Sequence, residues 1–211
     1  MPEPDPGGRN PPAGNIHPRR IISLGDMQNQ RYALVGYVKS AAGEFVENLR
    51  RELHPDLPSL SAHLTILPPR TLQGTERQAI QLLERICGEV EPFEVSLGGV
   101  DTFIPVTPTV FVRVDASASR MHDLHRKLNT EALAFHEEWP YSPHMTIAKL
   151  SGEPAALEAL HTARQRWAEY SGSRRVLLEK LSFVREEVRH NGPNCWVDVA
   201  PVILGRRLVS R

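Results

Sequence analysis

Two short segments of this chain carry the same chemical message. His63-Leu64-Thr65-Ile66 lies inside Ala62–Leu67, and His144-Met145-Thr146-Ile147 lies inside Pro143–Leu150. Each is a His-x-Thr-x unit in an apolar, β-favouring run. Side chains of an extended strand alternate faces with a period of two. His63 therefore shares a face with Thr65, and His144 with Thr146, while Leu64, Ile66, Met145 and Ile147 turn towards a core. One such unit alone reads as ordinary strand. Its repetition points to a two-sided site: each copy follows a helix-like stretch, has a proline near the histidine (Pro58, Pro143) and is followed by a basic residue (Arg70, Lys149). Two imidazoles and two hydroxyls suit phosphoryl chemistry. One imidazole can give a proton and the other take one near neutrality, and the hydroxyls can donate to phosphate oxygens.

Other candidates are less constrained. Lys149 and Arg70 could bind a phosphate. Strict alternation turns Lys149 away from His144, so a bulge or a strand end is needed to bring it back. Tyr37, Phe103 and Trp196 are candidates for stacking a base or lining a cleft, with core packing as the competing role. His122 and His125 lie three apart on a predicted helix, as metal ligands can, with His136 just beyond it. No cysteine, and no carboxylate at a ligand spacing, completes a site, so no metal and no other cofactor is expected. His54, His161 and His190 read as surface or helix-end residues.

With these motifs in place the chain resembles the 2H phosphoesterase superfamily, which includes the 2′-5′ RNA ligase-like proteins and the 2′,3′-cyclic phosphodiesterases. The two His-x-Thr-x units carry most of the resemblance. Pro92–Val100 is similar to the family's segment between the motifs, Ser142–Lys149 to its second motif, and Leu178–Val184 with Trp196–Val199 to its closing pair of strands. The likeness spans about Arg31 to Leu204. It implies an α+β fold of two pseudo-twofold-related lobes, each a mainly antiparallel sheet with outer helices. The site would lie in the cleft between the lobes, and the last two strands would return to the first lobe. It further implies a metal-independent phosphoesterase that opens a 2′,3′-cyclic phosphate, or acts on a 2′-5′ phosphodiester, of RNA or nucleotides. By family analogy His63 is the acid and His144 the base, giving a 2′-phosphate; the residues themselves do not order the two. Thr65 and Thr146 would hold the non-bridging oxygens. The expected partner is an RNA 3′ end or a small cyclic-phosphate nucleotide, with no membrane and no protein partner, the protein being a monomer. Three alternatives remain open: 2′-5′ ligation by the reverse reaction, a phosphodiesterase for a small cyclic nucleotide or an ADP-ribose cyclic phosphate, and a non-catalytic RNA- or nucleotide-binding module.

Composition bounds these readings. A chain of 211 residues suffices for one sizeable domain or two lobes sharing a core. Lys and Arg balance Asp and Glu at 25 each, which argues against the broadly basic surface that wraps duplex DNA. The two cysteines, Cys87 and Cys195, are too few for a disulfide framework. No apolar stretch approaches the ~20 residues of a membrane span, and the N-terminus lacks a secretory pattern, so a soluble, cytoplasmic protein is expected.

The elements that must position the motifs follow from periodicity and breakers. Residues 1–30 are rich in proline and glycine and read as a flexible leader in which only Ile21-Ile22 could dock; residues 31–205 form the bilobal domain and 206–211 a tail. Tyr32–Val38 predicts a strand, and Ala41–Leu53 a helix with Phe45, Val46, Leu49 and Leu53 inward, ended by Pro55 and Pro58. Thr75 and Gln78 fit a capping box before a helix burying Ala79, Leu82, Leu83, Ile86, Cys87 and Val90. Phe93–Val100, where Gly98-Gly99 allows a bulge or a close backbone approach, and Thr109–Val114 predict strands. Ser117 is the expected cap of a helix through Phe135. Pro154 suits the first turn of another helix, with Leu157, Leu160 and Trp167 on its apolar side. Val176–Val184 and Cys195–Val199 close the fold, joined through a turn at Asn191-Gly192.

Overall fold

A computed structural model of the chain describes residues 30–54, 60–187 and 195–206. Its strands are β1 (Tyr32–Tyr37), β2 (His63–Arg70), β3 (Phe93–Thr102), β4 (Thr109–Val114), β5 (His144–Lys149), β6 (Arg175–Leu178), β7 (Lys180–Glu187) and β8 (Cys195–Ile203). Its helices are α1 (Ala41–Leu53), α2 (Glu76–Gly88), α3 (Ala118–Leu128) and α4 (Glu153–Glu169), with a short 3₁₀ turn at Glu131–Leu133. Residues 1–29 of the expected leader, Pro55, Pro58, His190 and the Asn191-Gly192 turn lie outside the described residues.

The strands form two four-stranded antiparallel sheets, ordered β2-β1-β7-β8 and β5-β4-β3-β6. Each motif strand is thus the edge of its own sheet, with β2 flanked by β1 and β5 by β4. This is the expected α+β arrangement of two lobes, and β7 and β8 return to the first lobe. One apolar core runs through both lobes. The core-facing motif residues Leu64, Ile66, Met145 and Ile147 are all fully buried within it, beside Leu34, Val112, Met121 and Phe183. A smaller cluster on the other face of the first sheet joins Ala33, Val35 and Val184 to Tyr37 and Trp196.

Local chemistry sets the start of α2 and the bulge of β3. The capping box forms: the Gln78 amide donates to Thr75 Oγ1 (3.2 Å) and the Thr75 amide to Gln78 Oε1 (2.8 Å). Gly98 permits the bulge in β3, since a Cβ there would stand 2.1 Å from the Asp115 carboxylate.

Four expectations need correction. The helix after Ser117 stops at Leu128 and does not reach Phe135, because Asn129 leaves helical geometry and its side chain bonds both Phe135 backbone groups. Ser117 itself is left-handed and makes no cap bond. Leu157 is 47% exposed, the buried stripe of α4 running through Ala156, Ala159, Leu160, Ala163 and Trp167. Val176–Val184 is not one strand, for the chain leaves the second sheet at Leu178 and enters the first at Lys180. The apolar alternation slips by one residue there, from Val176 and Leu178 to Leu181 and Phe183 across Glu179-Lys180, and the slip marks the crossing.

Candidate active site

The faces of the two motif strands line one cavity of ≈ 590 Å³ between the lobes, to which His63, Thr65, His144, Thr146 and Lys149 all contribute. Both imidazoles are mounted in the same way. His63 Nδ1 lies 2.7 Å from the Ser61 carbonyl oxygen, and His144 Nδ1 lies 2.7 Å from that of Ser142. A carbonyl only accepts, so each Nδ1 carries hydrogen and donates, which leaves each Nε2 free to take or give a proton. Aromatic rings back both histidines: Trp196 stands 4.9 Å from His63, and Phe103 and Phe111 stand 4.9 and 5.0 Å from His144, centroid to centroid.

The position of Lys149 has a definite cause. In the β4–β5 ladder Phe111 faces Thr146 but Val110 faces Ala148, so Ile147 is an extra, bulged residue. Ile147 and Ala148 are consequently both buried, and the alternation resets. Lys149 thereby rejoins the face of His144 and Thr146. The same bulge occurs in β2, where Val35 faces Thr65 and Leu34 faces Leu67, leaving Ile66 extra. The residue placed like Lys149, three after the threonine, is there Pro68, which lines the cavity.

Arg70 is therefore not the partner of Lys149. It is 1% exposed, does not line the cavity, and its guanidinium is held by Glu137, Asn129 (3.0 Å) and the carbonyls of Leu133 (3.2 Å) and Pro68 (3.0 Å). Tyr37 stands beside His63 in the ladder, but its hydroxyl donates to Asp198 Oδ1 at 3.0 Å. Burial, reinforced by that carboxylate, pushes the phenol up to about 12. Phe103 and Trp196 do line the cavity. His125 is buried, with Nδ1 2.8 Å from the Ile66 carbonyl and Nε2 3.3 Å from Glu137. His122 packs edge-on against Tyr141.

Two further residues complete the site and carry no signal in the motif. Arg50, near the end of α1 and only 5% exposed, lines the cavity and donates from Nη1 to the Leu60 carbonyl and from Nη2 to the Thr146 carbonyl at 2.7 Å. From the other side, the Tyr141 hydroxyl donates to the Thr65 carbonyl at 2.7 Å. Each motif threonine thus has its backbone carbonyl held by a side chain that precedes the other motif strand. On edge strands these acceptors would otherwise lack a ladder partner. A signal for the histidine mounts was present in the chain: both units extend backwards as Ser-x-His-x-Thr.

Charge is distributed unevenly over the site. Desolvation is the main cause that pushes His63 down to about 4; the positive charges of Arg50, His144 and Lys149 add to it, and the bond to the Ser61 carbonyl opposes it. His144 is also lowered, mainly by desolvation and then by Lys149, against the Ser142 carbonyl. Desolvation, then the charges of Arg31 and Arg50, hold the Lys149 ammonium below its usual range, with Glu186 opposing. An anion entering the cleft would relieve all three.

A cleft with two Nε2 atoms, two hydroxyls and a desolvated cation can bind a phosphate and move protons on either side of it. The 2′-5′ RNA ligase superfamily model matches residues 38–189, well over half of the chain and inclusive of both motifs. The chain belongs to the 2′-5′ RNA ligase superfamily. Superfamily membership indicates phosphoesterase or 2′-5′ RNA ligase-like chemistry. Curated relatives agree: "Putative phosphoesterase OB1230" of Oceanobacillus iheyensis is 28% identical over 120 residues, covering 56% of this chain and 70% of that one. "Putative phosphoesterase BH1439" of Halalkalibacterium halodurans is 24% identical over 119 residues, covering 56% and 69%. Among solved structures, LigT of E. coli superposes with a TM-score of 0.61 at 14% identity, and TT0787 of Thermus thermophilus with 0.58 at 17%; each alignment covers 83% of this chain and 98% of the other. At those identities the superpositions establish the shared fold. Among the described residues no helix is long and apolar enough to cross a membrane.

Proposed function

We propose that this superfamily member is a metal-independent phosphodiesterase that opens 2′,3′-cyclic phosphates of RNA ends or nucleotides by paired-histidine acid–base catalysis. The observation that carries the reading is the matched mounting of the two imidazoles, each with Nδ1 on a serine carbonyl and Nε2 left for the cavity. One Nε2 deprotonates the attacking water. The other protonates the departing ribose oxygen. Thr65, Thr146 and Lys149 hold the non-bridging oxygens, where negative charge grows in the transition state.

The family analogy gives His63 the acid role, and its surroundings oppose it, because burial and the charges of Arg50 and Lys149 disfavour a third cation there. Substrate supplies the missing counter-charge. A phosphodiester anion between the histidines raises the affinity of His63 for a proton, so the acid is armed when substrate binds. Structures of E. coli LigT hold NADP+, 3′-AMP, ATP or phosphate, and the proposal extends that ligand class to this chain. Ligation is the same ring opening with a 5′-hydroxyl in place of water as the attacking group; the P–O3′ bond breaks, a 2′-5′ phosphodiester forms, and the same groups move the protons.

The test is turnover of a 2′,3′-cyclic mononucleotide and of a cyclic-ended oligonucleotide, before and after treatment with EDTA. The expected result is a 2′-phosphate product and an undiminished rate. Activity lost to EDTA and restored by a divalent metal overturns the metal-independent mechanism, and no turnover of either substrate overturns the reading.

A further inference from the structure

Beyond the phosphate-binding floor, the cavity has a wall whose construction the proposed chemistry does not explain. Three of the large apolar side chains left exposed on the described surface, Val106 (50%), Phe135 (37%) and Trp139 (57%), line this one cavity. Exposed apolar groups scattered singly need no account; a cluster at the mouth of a site does. The segment that carries Phe135 and Trp139 is neither helix nor strand, yet it is fastened at three points. Phe135 is held through both backbone groups by Asn129 (2.8 and 3.1 Å) and lies under the Arg70 guanidinium (5.5 Å to the ring centroid). Glu137 is held by Arg70 and His125. Tyr141 is held by its bond to Thr65 and by parallel stacking on His125 at 4.0 Å. Between Glu137 and Tyr141, Trp139 makes no hydrogen bond, ion pair or ring contact among the described residues. An indole without such a partner, carried on a fastened segment and lining the same cavity as the histidines, has a face open to a planar ligand.

We propose that Trp139, with Phe135, stacks a nucleobase of the substrate whose phosphate lies between the histidines, and that this wall makes the protein selective for nucleotides over other phosphoesters. The inference rests on the phosphoester reading of the same cavity and goes further in naming what fills its apolar end. Charge supports a base as occupant. The cations Lys149 and Arg50 lie on the floor, whereas Glu138 lines the cavity next to Trp139. A carboxylate there disfavours a second phosphate and accepts from base N–H groups. A nucleotide has this same polarity, an anion at one end and a flat, neutral, N–H-bearing ring at the other. Base–aromatic stacking contributes about 1–3 kcal/mol per base, which is roughly 5- to 150-fold in affinity.

The experiment measures, by calorimetry, the dissociation constants of inorganic phosphate and of a 2′-mononucleotide, and reads their ratio in the wild type, Trp139→Ala, Trp139→Phe and Leu177→Ala. Leu177 is equally exposed, on β6, and does not line the cavity. The expected result is a nucleotide preference that falls about tenfold or more in Trp139→Ala, recovers in Trp139→Phe and is unchanged in Leu177→Ala. An unchanged preference in Trp139→Ala overturns the platform. So does wild-type protein that binds phosphate but the nucleotide no more tightly, an outcome that leaves the phosphoester reading standing. Protein that binds neither overturns both.

Discussion

The two motif strands are built alike and finished differently. In β2 and in β5 the histidine donates from Nδ1 to the carbonyl of a serine two residues earlier, at 2.7 Å in both. A bulge follows each threonine, and the threonine carbonyl is held from the other lobe at 2.7 Å. The first difference is the brace: a charged Arg50 holds β5, a neutral Tyr141 holds β2. The second is the residue the bulge returns to the cleft, Lys149 in one lobe and Pro68 in the other. Both cations of the cleft therefore act across a pair of otherwise matched imidazoles, and Arg50 bears on His63 alone of the two. A symmetric frame thus holds an asymmetric charge, so the two otherwise matched imidazoles differ in how readily each takes a proton.

The largest expected effects test the symmetric part. His63→Ala and His144→Ala should each lower kcat/KM for a 2′,3′-cyclic nucleotide on the order of 10²-fold or more. The double variant should lose far less than the product of the two, because the residues act in one step. Single losses that multiply would break the pairing. The asymmetric part is sharpened by the bulge positions. Lys149→Met should cost roughly 10- to 100-fold in kcat/KM, as expected for a cation on a phosphate oxygen, whereas Pro68→Ala should change it by less than about threefold. Thr65→Val and Thr146→Val should fall between these limits.

Braces are compared by stability. Arg50→Met removes two charge-assisted bonds and leaves the Leu60 and Thr146 carbonyls without their partner, which should cost about 3 kcal/mol. Tyr141→Phe removes one neutral bond and should cost about 1 kcal/mol. Denaturant unfolding of both variants measures the difference, and equal costs would contradict the assignment of charged and neutral braces. The smallest effect is a slope in stability with pH. His63 is held down at about 4 against an ordinary 6.5, so below 6.5 the unfolded chain takes up a proton that the folded one refuses. Its contribution is complete above that value and is lost as the pH falls towards 4. His63→Gln should flatten that segment of the stability profile, seen as a reduced pH dependence of the urea midpoint.

The paired histidines and threonines were legible in the sequence because period-two alternation is local, and the two-lobe fold followed from the family resemblance those motifs carry. The bulges were not. Ile66-Leu67 and Ile147-Ala148 are apolar pairs that read as uninterrupted strand, although each hides one extra residue. That one residue decides that Lys149 enters the cleft, and it makes Pro68, rather than Arg70, its counterpart. Arg50 was invisible for a different reason: in α1 it takes the place of a polar, solvent-facing helix residue, and its burial depends on a strand almost a hundred positions away. Trp139 sits in a segment with no periodicity at all. Its segment is fastened by Glu137, held by the buried Arg70 and His125, three charged or titratable residues scattered over the chain. The division of Val176–Val184 between two sheets leaves only a faint trace, a one-residue slip of the alternation across Glu179-Lys180 within an otherwise β-favouring run.

The central claim is that two matched strands hold one phosphate between two imidazoles of unequal charge environment. Its most direct test is the titration of His63 and His144 by imidazole NMR in the absence and presence of inorganic phosphate. The account predicts that both Nε2 resonances respond to phosphate with the same dissociation constant. It also predicts that the His63 titration, near 4 in the free protein, moves upward by about a unit or more when the anion is bound. Resonances that respond with different dissociation constants, or a His63 titration that stays where it is while phosphate binds, would contradict it.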